Sequence, residues 1–256
     1  PTGNRGPAQA RGDPGQVPQK ARQQGALILV ATPIGNLQDI SRRAVETLEK
    51  CHLIAAEDTR VTAKLLSSLG IKKPLIPFHA HSPKSTLQRL LGEIQEGATV
   101  ALVTDAGSPP ISDPGAELVD LAYRAGVAVD AIPGPSAVTN ALALAGFRAQ
   151  RFVFLGFLPK KPRQAERILE GLRDFEGPLV LFENPHRVLK VLELVQKVMG
   201  ERRVALCREM TKKFQEVLRG WIGEILASPL HLKGEVTLVI EEGLKKPPSG
   251  RGGLHP

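Results

Sequence analysis

The sequence predicts an α/β protein of two domains with a ligand-binding cleft between them. In the first half, short apolar runs alternate with amphipathic stretches, which indicates βαβ units and a largely parallel sheet. Near residues 133–147 the pattern changes to Pro-Gly-Pro-Ser and then to an Ala-rich stretch, which predicts a hinge and a connecting helix. The last three apolar runs of the second half have no long helices between them, so we expect a mixed or antiparallel sheet there.

The apolar runs define the expected strands. In the first half we predict strands at 26–31, 53–56, 74–78, 99–104 and 127–132. In the second half we predict strands at 152–156, 178–183, 203–207, 214–220 and 234–241. Amphipathic patterns predict helices over 40–51 and 85–96, the second with Ser85 as its N-cap, and Ser136 can cap the Ala-rich helix.

Charge divides the chain into a body and two basic tails. The 256 residues carry a net charge of +8, and six of these charges lie in 1–24 and 244–256, segments rich in Pro, Gly and Gln. Because such segments cannot bury much apolar surface, we predict disordered tails around an N-terminal domain at 25–135 and a C-terminal domain at 136–243. Because the body is nearly neutral, the net charge is weak evidence for nucleic-acid binding, and such binding would depend on local basic clusters in the body.

Composition also limits the class of protein. The chain is 42% apolar but only 4% aromatic, so the core should be aliphatic. The two cysteines, Cys51 and Cys207, are far apart, which argues against a disulfide framework or a cysteine metal site and favours a reducing cytosol. No apolar run approaches the roughly 20 residues of a membrane helix, and the N-terminus lacks the apolar core of a signal peptide. We expect a cytoplasmic protein with no membrane partner.

Three predicted strands of the first half end in loops of Pro, Gly and small polar residues, at 32–36, 105–115 and 133–137. Parallel strands place their carboxyl ends at one edge of the sheet, and ligands of open α/β sheets bind there. Pro stiffens such loops and Gly permits close backbone approach, so we predict one preorganised pocket. A structural turn is the alternative for any single loop, and Asp113 followed by Pro114 is better explained as a helix N-cap.

Two other kinds of site are disfavoured. A dinucleotide site needs G-x-G-x-x-G, and the first loop has only Gly35, although Glu57 lies about where a ribose-binding acid would. His79 and His81 are two residues apart with no acid or cysteine nearby, which makes a poor metal site. We therefore predict no metal.

Six segments together resemble the tetrapyrrole-methylase-type methyltransferases. They are ATPIGNLQDI (31–40), AAEDTR (55–60), DAGSPPISDPG (105–115), PGPSA (133–137), ENPHR (183–187) and REMTKKFQE (208–216). The resemblance runs in order from about 25 to 243, and it implies two α/β domains of the tetrapyrrole methylase type, S-adenosylmethionine in the cleft as methyl donor, and a homodimer. Within the family the segments are most similar to the ribosomal RNA methyltransferases. That implies 2′-O-methylation of a cytidine in the decoding centre of small-subunit (16S) rRNA, with the assembled subunit as the expected partner.

The resemblance places the donor-binding residues on the three loops. They are Thr32, Pro33, Gly35, Asp105, Ala106, Gly107, Ser108, Pro133, Gly134 and Ser136. The chain departs from the family at Ser108, where Thr is common, and at Pro110, where a bulky apolar residue is usual. Ser108 keeps the hydroxyl, whereas Pro110 removes a backbone N–H and stiffens the loop.

Methylation of a hydroxyl also needs a group that accepts the hydroxyl proton, which typically contributes about 10²–10⁴-fold to the rate. The candidates in the family segments are Glu57, Asp58, Glu183, His186 and Glu209. We predict Glu57 and Asp58 as the catalytic residues, because they end a strand at the expected ligand edge. Structural alternatives exist as well. Glu57 and Asp58 could pair with Arg60, and His186 could be a surface residue at a helix start. Glu209 could belong to an ion-pair network with Arg208 and Lys212.

RNA binding needs local positive charge. The candidates are Lys160, Lys161, Arg163, Arg167, Arg187 and Lys212, which could neutralise phosphates with strong salt dependence. A solvated charged face is the alternative for each cluster. Two other functions stay open for the chain: a small-molecule tetrapyrrole-type methylase, and a non-catalytic RNA-binding factor of the same fold. The segments AAEDTR and ENPHR argue against the first, and retention of the whole loop set argues against the second.

Overall fold

The computed structural model describes residues 25–109, 111, 115–230 and 232–243. The tails predicted at 1–24 and 244–256 lie outside the described residues, as do Pro110 and the capping prediction at Asp113 and Pro114. Within the described part, no helix is both long and apolar enough to cross a membrane.

The first half forms a parallel sheet with helices between its strands. The elements are β1 (Ala26–Val30), α1 (Arg42–Lys50), β2 (Leu53–Ala56), α2 (Thr59–Ser68), β3 (Leu75–Pro77), α3 (Lys84–Gln95), β4 (Thr99–Val103), α4 (Ala116–Arg124) and β5 (Ala128–Ile132). The strand order is β3-β2-β4-β1-β5, and all the pairs are parallel. Both the strands and the parallel pairing predicted for this half are confirmed.

The second half forms a mixed sheet. Its elements are α5 (Ala137–Ala145), β6 (Val153–Phe157), α6 (Pro162–Gly171), β7 (Leu179–Glu183), α7 (Val188–Met199), β8 (Arg203–Arg208), β9 (Glu216–Trp221), α8 (Ile222–Ala227) and β10 (Val236–Ile240). The order is β6-β7-β10-β8-β9; β6 and β7 are parallel, and the remaining pairs are antiparallel. The prediction of a mixed sheet is confirmed, and the short connection between β8 and β9 accounts for the antiparallel pairing of these two strands.

Helix α5 connects the halves and packs on the second sheet. Its apolar side chains share one buried cluster with Val180, Ala205 and Val239 of that sheet. Ile34 from the first loop and Met210 from the loop after β8 belong to the same cluster. The aliphatic core therefore continues from the first half into the second at the level of these two loops. The domain boundary at 135/136 stays a prediction.

Helix starts follow the expected cap chemistry at some positions and not at others. Ser41 caps α1 by accepting a hydrogen bond from the Ala44 N–H at 3.1 Å. The prediction of Ser85 as a cap is wrong: α3 begins at Lys84, and Pro83 in an extended conformation is its N-cap. Ser136 is the N-cap residue of α5, but its side chain makes no capping hydrogen bond, which leaves the hydroxyl available to a ligand.

Candidate functional site

The loops after β1, β4 and β5 meet at the carboxyl edge of the first sheet, as the sequence predicts. Thr32 and Gly107 exchange backbone hydrogen bonds of 2.9 and 3.1 Å, and the Ser108 hydroxyl donates to the Pro135 carbonyl at 3.3 Å. Gly107 has φ 90°, a conformation that other residues rarely adopt. These bonds fasten the three loops to one another and so make a single rigid surface.

Gly35 lies where the first loop packs closely against the second half of the protein. A Cβ at this position would lie 2.6 Å from the Lys212 Cγ, 2.7 Å from the Thr211 Oγ1 and 2.9 Å from the Met210 carbonyl oxygen. The Asn36 N–H also donates to the Thr211 hydroxyl at 3.0 Å. The close backbone approach predicted for Gly35 is therefore made to the protein's own second half, at the loop after β8. Thr211 itself is strained, with φ 65°.

A cavity of about 380 Å³ lies between the two sheets, within the usual range for small-ligand sites. Its walls come from strand ends of both halves. Because β10 is antiparallel to β7 and β8, its first residues lie beside the ends of those strands at the same edge. The lining residues are Ile34, Ala106, Gly107, Ser108, Ile111, Ser136, Ala137, Val138, Phe157, Phe182, Glu183, Asn184, Pro185, Met210, Gly234, Glu235, Val236 and Thr237.

The predicted donor-binding residues divide into two groups. Ala106, Gly107, Ser108 and Ser136 line the cavity. The others lie behind or beside it: Thr32, Pro33, Gly35, Asp105, Pro133 and Gly134. Thr32 is buried and donates its hydroxyl to the Thr104 carbonyl at 3.1 Å, so it holds the loop rather than facing a ligand. Gly134 permits close packing against Ala31, the residue after β1, since its Cβ would lie 2.9 Å from the Ala31 Cβ.

The cavity wall that the second half contributes was not predicted from the sequence. Phe157, Phe182, Met210 and the segment 234–237 all line the cavity. Their strands were predicted, but the antiparallel register that brings the start of β10 beside the end of β7 depends on tertiary pairing. The segments GFLP and REMTKKFQE, each at the end of a predicted strand, were the available signal.

A cluster of acids stands next to the 105–108 loop. The Asp105 N–H lies 3.4 Å from Glu57 Oε2, and the Asp58 N–H donates to Asp105 Oδ1 at 3.0 Å. Glu57 is half-buried, and this burial raises its pKa, with the Asp105 and Asp58 charges raising it further. Neither Glu57 nor Asp58 lines the cavity itself. Glu57 is thus a carboxylate of increased basicity beside the wall of the cavity.

Asp58 has a different environment. It is the N-cap of α2, where its Oδ1 accepts from the Arg60 N–H at 2.8 Å. Its carboxylate also pairs with the Arg60 guanidinium at 3.0 and 2.6 Å. These hydrogen bonds hold the pKa of Asp58 well below its usual range, which makes it a poor proton acceptor. The structural alternative of pairing with Arg60 is confirmed for Asp58.

The remaining base candidates have different surroundings. Glu183 is buried and lines the cavity; its Oε1 accepts from the Asn184 N–H at 2.7 Å, and its Oε2 has no hydrogen-bond partner among the described residues. His186 is exposed at the start of α7. Glu209 accepts from the Glu235 N–H at 2.9 Å and from Lys212 Nζ at 3.0 Å, and these two bonds lower its pKa. The ion-pair network predicted as the alternative for Glu209 is confirmed. At the histidine pair, His79 Nδ1 accepts a hydrogen bond from the His81 N–H at 3.2 Å.

The predicted RNA-binding residues also divide into two groups. Lys160, Lys161, Arg163 and Arg167 are exposed around the start of α6, and their side chains have no hydrogen bond or ion pair with any described residue. Arg187 instead donates to the Leu158 and Pro159 carbonyls and pairs with Glu183 at 3.4 Å. Lys212 pairs with Glu209 and Glu235 at 3.0 Å each.

Comparison with known proteins identifies the family. The model of the Tetrapyrrole (Corrin/Porphyrin) Methylases matches residues 26–226. The chain is 45% identical to a protein of Thermotoga maritima named ribosomal RNA small subunit methyltransferase I, with 84% of this chain and 98% of that one covered. It is 43% identical to the protein of the same name in Halalkalibacterium halodurans, with 87% and 78% covered.

Solved structures show the same fold at lower identity. Uroporphyrin-III-C-methyltransferase from Thermus thermophilus aligns with a TM-score of 0.57 and 21% identity over 86% of this chain and 93% of that one. A diphthine synthase aligns with a TM-score of 0.65 and 16% identity over 85% and 90%. With two sheets whose strand ends line one cavity, a matching family model and relatives of 43–45% identity, the chain belongs to the tetrapyrrole methylase family and, within it, to the methyltransferases of the ribosomal RNA small subunit methyltransferase I type.

Proposed function

We propose that this enzyme transfers a methyl group from S-adenosylmethionine to the ribose 2′-hydroxyl of a cytidine in the decoding centre of small-subunit (16S) rRNA. The acceptor is the assembled subunit, and the enzyme acts in the cytoplasm as a homodimer. The observation that carries the proposal is a small-ligand cavity with a half-buried carboxylate beside it, in a chain 43–45% identical to proteins named rRNA methyltransferases.

The cavity residues fit S-adenosylmethionine. The apolar side chains of Met210, Val236 and Phe182 suit a flat nucleobase, and Ala106 and Gly107 permit close approach along the opposite wall. The free hydroxyl of Ser136 and that of Ser108 can contact its polar groups. Thr32, Pro33, Gly35, Asp105, Pro133 and Gly134 would support the donor by fixing the loops. The bound donor supplies a methyl group already activated on a sulfonium.

The protein's main task is then alignment, because holding two reactants in line can supply much of the acceleration. Glu57 is the residue we assign to the proton of the acceptor hydroxyl. Its raised pKa makes it a stronger base than an ordinary carboxylate, and its hydrogen bond with the Asp105 N–H fixes it beside the 105–108 loop. Asp58 supports this arrangement by capping α2 and by holding Asp105.

The basic cluster at 160–167 is the proposed docking site for RNA phosphates. Replacing Lys160, Lys161, Arg163 and Arg167 with Gln should weaken binding to unmodified small subunits and should lower the salt slope by roughly 0.7–0.9 per lost phosphate contact. The Kd of S-adenosylmethionine should not change. Filter binding over a salt series measures the affinity for subunits and its salt slope, and calorimetry measures the Kd of S-adenosylmethionine.

A control with two of its charges removed is available in the first half. Lys64 and Lys72 are exposed and lie away from the cavity, so their replacement with Gln removes charge without touching the proposed docking site. The control should bind subunits as the wild type does. An unchanged RNA affinity of the 160–167 variant at both low and high salt would contradict the docking assignment.

The reaction itself is tested with labelled S-adenosylmethionine and small subunits that lack the modification. Nuclease digestion and mass analysis should find 2′-O-methylcytidine as the labelled nucleoside. A nucleoside methylated on its base would contradict the proposed acceptor atom. Donor binding without any RNA product would favour a small-molecule tetrapyrrole-type methylase or a non-catalytic RNA-binding factor.

A further inference from the structure

Strand β6 contains a bulge at Gly156. Phe154 pairs with Val180 and Phe157 pairs with Phe182, so three steps on β6 correspond to two on β7. Gly156, inside the bulge, has φ 60°, in the left-handed region that favours glycine. Because side chains alternate along a strand, the extra residue moves the Phe157 side chain to the opposite face of the sheet.

The bulge places Phe157 on the same face as Phe154 and Phe182. The ring centroids of Phe154 and Phe182 are 5.0 Å apart, and those of Phe157 and Phe182 are 5.8 Å apart. The three rings thus form a row that runs toward the cavity, and Phe182 and Phe157 both line it. The tilted contact with Phe182 fixes one side of the Phe157 ring and leaves the rest of it free.

Folding alone does not account for this position. The Phe157 side chain is 62% exposed, whereas its neighbour Leu158 is 3% exposed. Burying a phenyl ring is favourable, and a regular strand would have turned this side chain toward the apolar cluster of α6 and α7. A single exposed apolar residue is common on protein surfaces. Here the exposure results from a glycine bulge at the mouth of a cavity.

The charges next to the ring indicate what it contacts. Lys160 and Lys161 follow Phe157 by three and four residues, and Arg163 lies one residue into α6. All three are exposed and without a partner among the described residues. An exposed aromatic ring beside unpaired cations is the combination that binds single-stranded nucleic acid, since the ring stacks on a base while the cations neutralise phosphates.

We propose that Phe157 is a stacking platform for an unpaired nucleobase of the RNA acceptor, held at the mouth of the donor cavity. The proposal rests on the proposed function. The base stacked on Phe157 would place its strand between the basic cluster and the cavity. Phe157 is therefore a binding residue that positions the acceptor and takes no part in proton transfer.

The test compares three variants of Phe157 with one matched control. Phe157→Ala and Phe157→Leu remove the stacking surface, Phe157→Tyr retains it, and Phe152→Ala removes an exposed ring just before the opposite end of the same strand. Filter binding measures the affinity for unmodified small subunits at low and high salt. Calorimetry measures the affinity for S-adenosylhomocysteine.

We expect the Ala and Leu variants to bind subunits about 5- to 150-fold more weakly, the range that corresponds to loss of one base stack. The loss should be equal at both salt concentrations, because the phenyl ring carries no charge. Phe157→Tyr should restore the affinity, and Phe152→Ala should behave as the wild type. The affinity for S-adenosylhomocysteine should be the same in all variants.

Two results would overturn the stacking role. One is wild-type subunit affinity in the Ala and Leu variants. The other is weaker binding of S-adenosylhomocysteine with unchanged subunit affinity, which would assign Phe157 to the donor cavity. If the wild-type enzyme neither binds nor methylates subunits, both the proposed function and the stacking role are wrong. If the wild type binds and methylates subunits, the variants test the stacking role alone.

Discussion

Replacement of Glu57 with Gln should lower the turnover number about 10²–10⁴-fold, the usual contribution of a positioned base, and leave the Kd of S-adenosylmethionine unchanged. Gln has the same shape and can still accept from the Asp105 N–H, but it cannot take up a proton. Glu57 does not line the cavity, so donor binding does not depend on its charge. Single-turnover methylation and calorimetry measure the two quantities separately.

The same variant should change the pH profile. A carboxylate base acts when ionised, so the rate falls as the pH falls through its pKa. Burial raises the pKa of Glu57, and therefore the acidic limb of kcat/KM should lie above the ordinary carboxyl range. In Glu57→Gln that limb should disappear. A limb that persists in the variant would assign the titration to another group.

Asp58→Asn is the matched control, since it removes the neighbouring carboxylate by the same chemical change. Asn caps helices as well as Asp does, so α2 keeps its cap. The lost pair with Arg60 is exposed, and such pairs contribute little to stability. We expect turnover close to that of the wild type. Equal loss in both variants would show that the two acids act together, and wild-type rates in both would remove them from the mechanism.

The sequence predicts the fold well because its signals are local. Each apolar run bounded by Pro, Gly or polar residues became a strand, and the loops at 32–36, 105–109 and 133–136 met at one edge because parallel strands require it. The bulge at Gly156 could not be predicted, because a glycine in a strand is equally compatible with regular pairing. Its effect on the direction of Phe157 depends on the register with β7.

Side-chain roles were harder to predict where the partner is distant in the chain. The sequence shows Arg187 and Lys212 as basic residues in family segments, and both could be RNA ligands on that evidence. In the fold Lys212 meets Glu235, and Arg187 meets the carbonyls of Leu158 and Pro159. The charge of each is used within the protein. Composition and spacing contain no information about such contacts, which depend on which strands become neighbours.

Arg187→Met should therefore destabilise the protein and leave the salt dependence of RNA binding unchanged. The Glu183 side chain is fully buried, and Arg187 is its cationic partner at 3.4 Å. Removing the cation leaves the buried Glu183 carboxylate without its ionic partner; this costs about 3–5 kcal/mol in a fully buried pair, and less here because the Arg187 side chain is 30% exposed. The hydrogen bonds that Arg187 donates to the 158–159 segment are lost as well. Urea unfolding measures the loss in the free energy of unfolding.

The double variant Glu183→Gln with Arg187→Met separates charge from packing. Neutralising Glu183 removes the unpaired charge, so the double variant should recover much of the lost stability, and the two substitutions should not be additive. Subunit binding by folded Arg187→Met should keep the wild-type salt slope, unlike the variant of the 160–167 cluster. Wild-type stability with a reduced salt slope would reverse the assignment and return Arg187 to the RNA-binding surface.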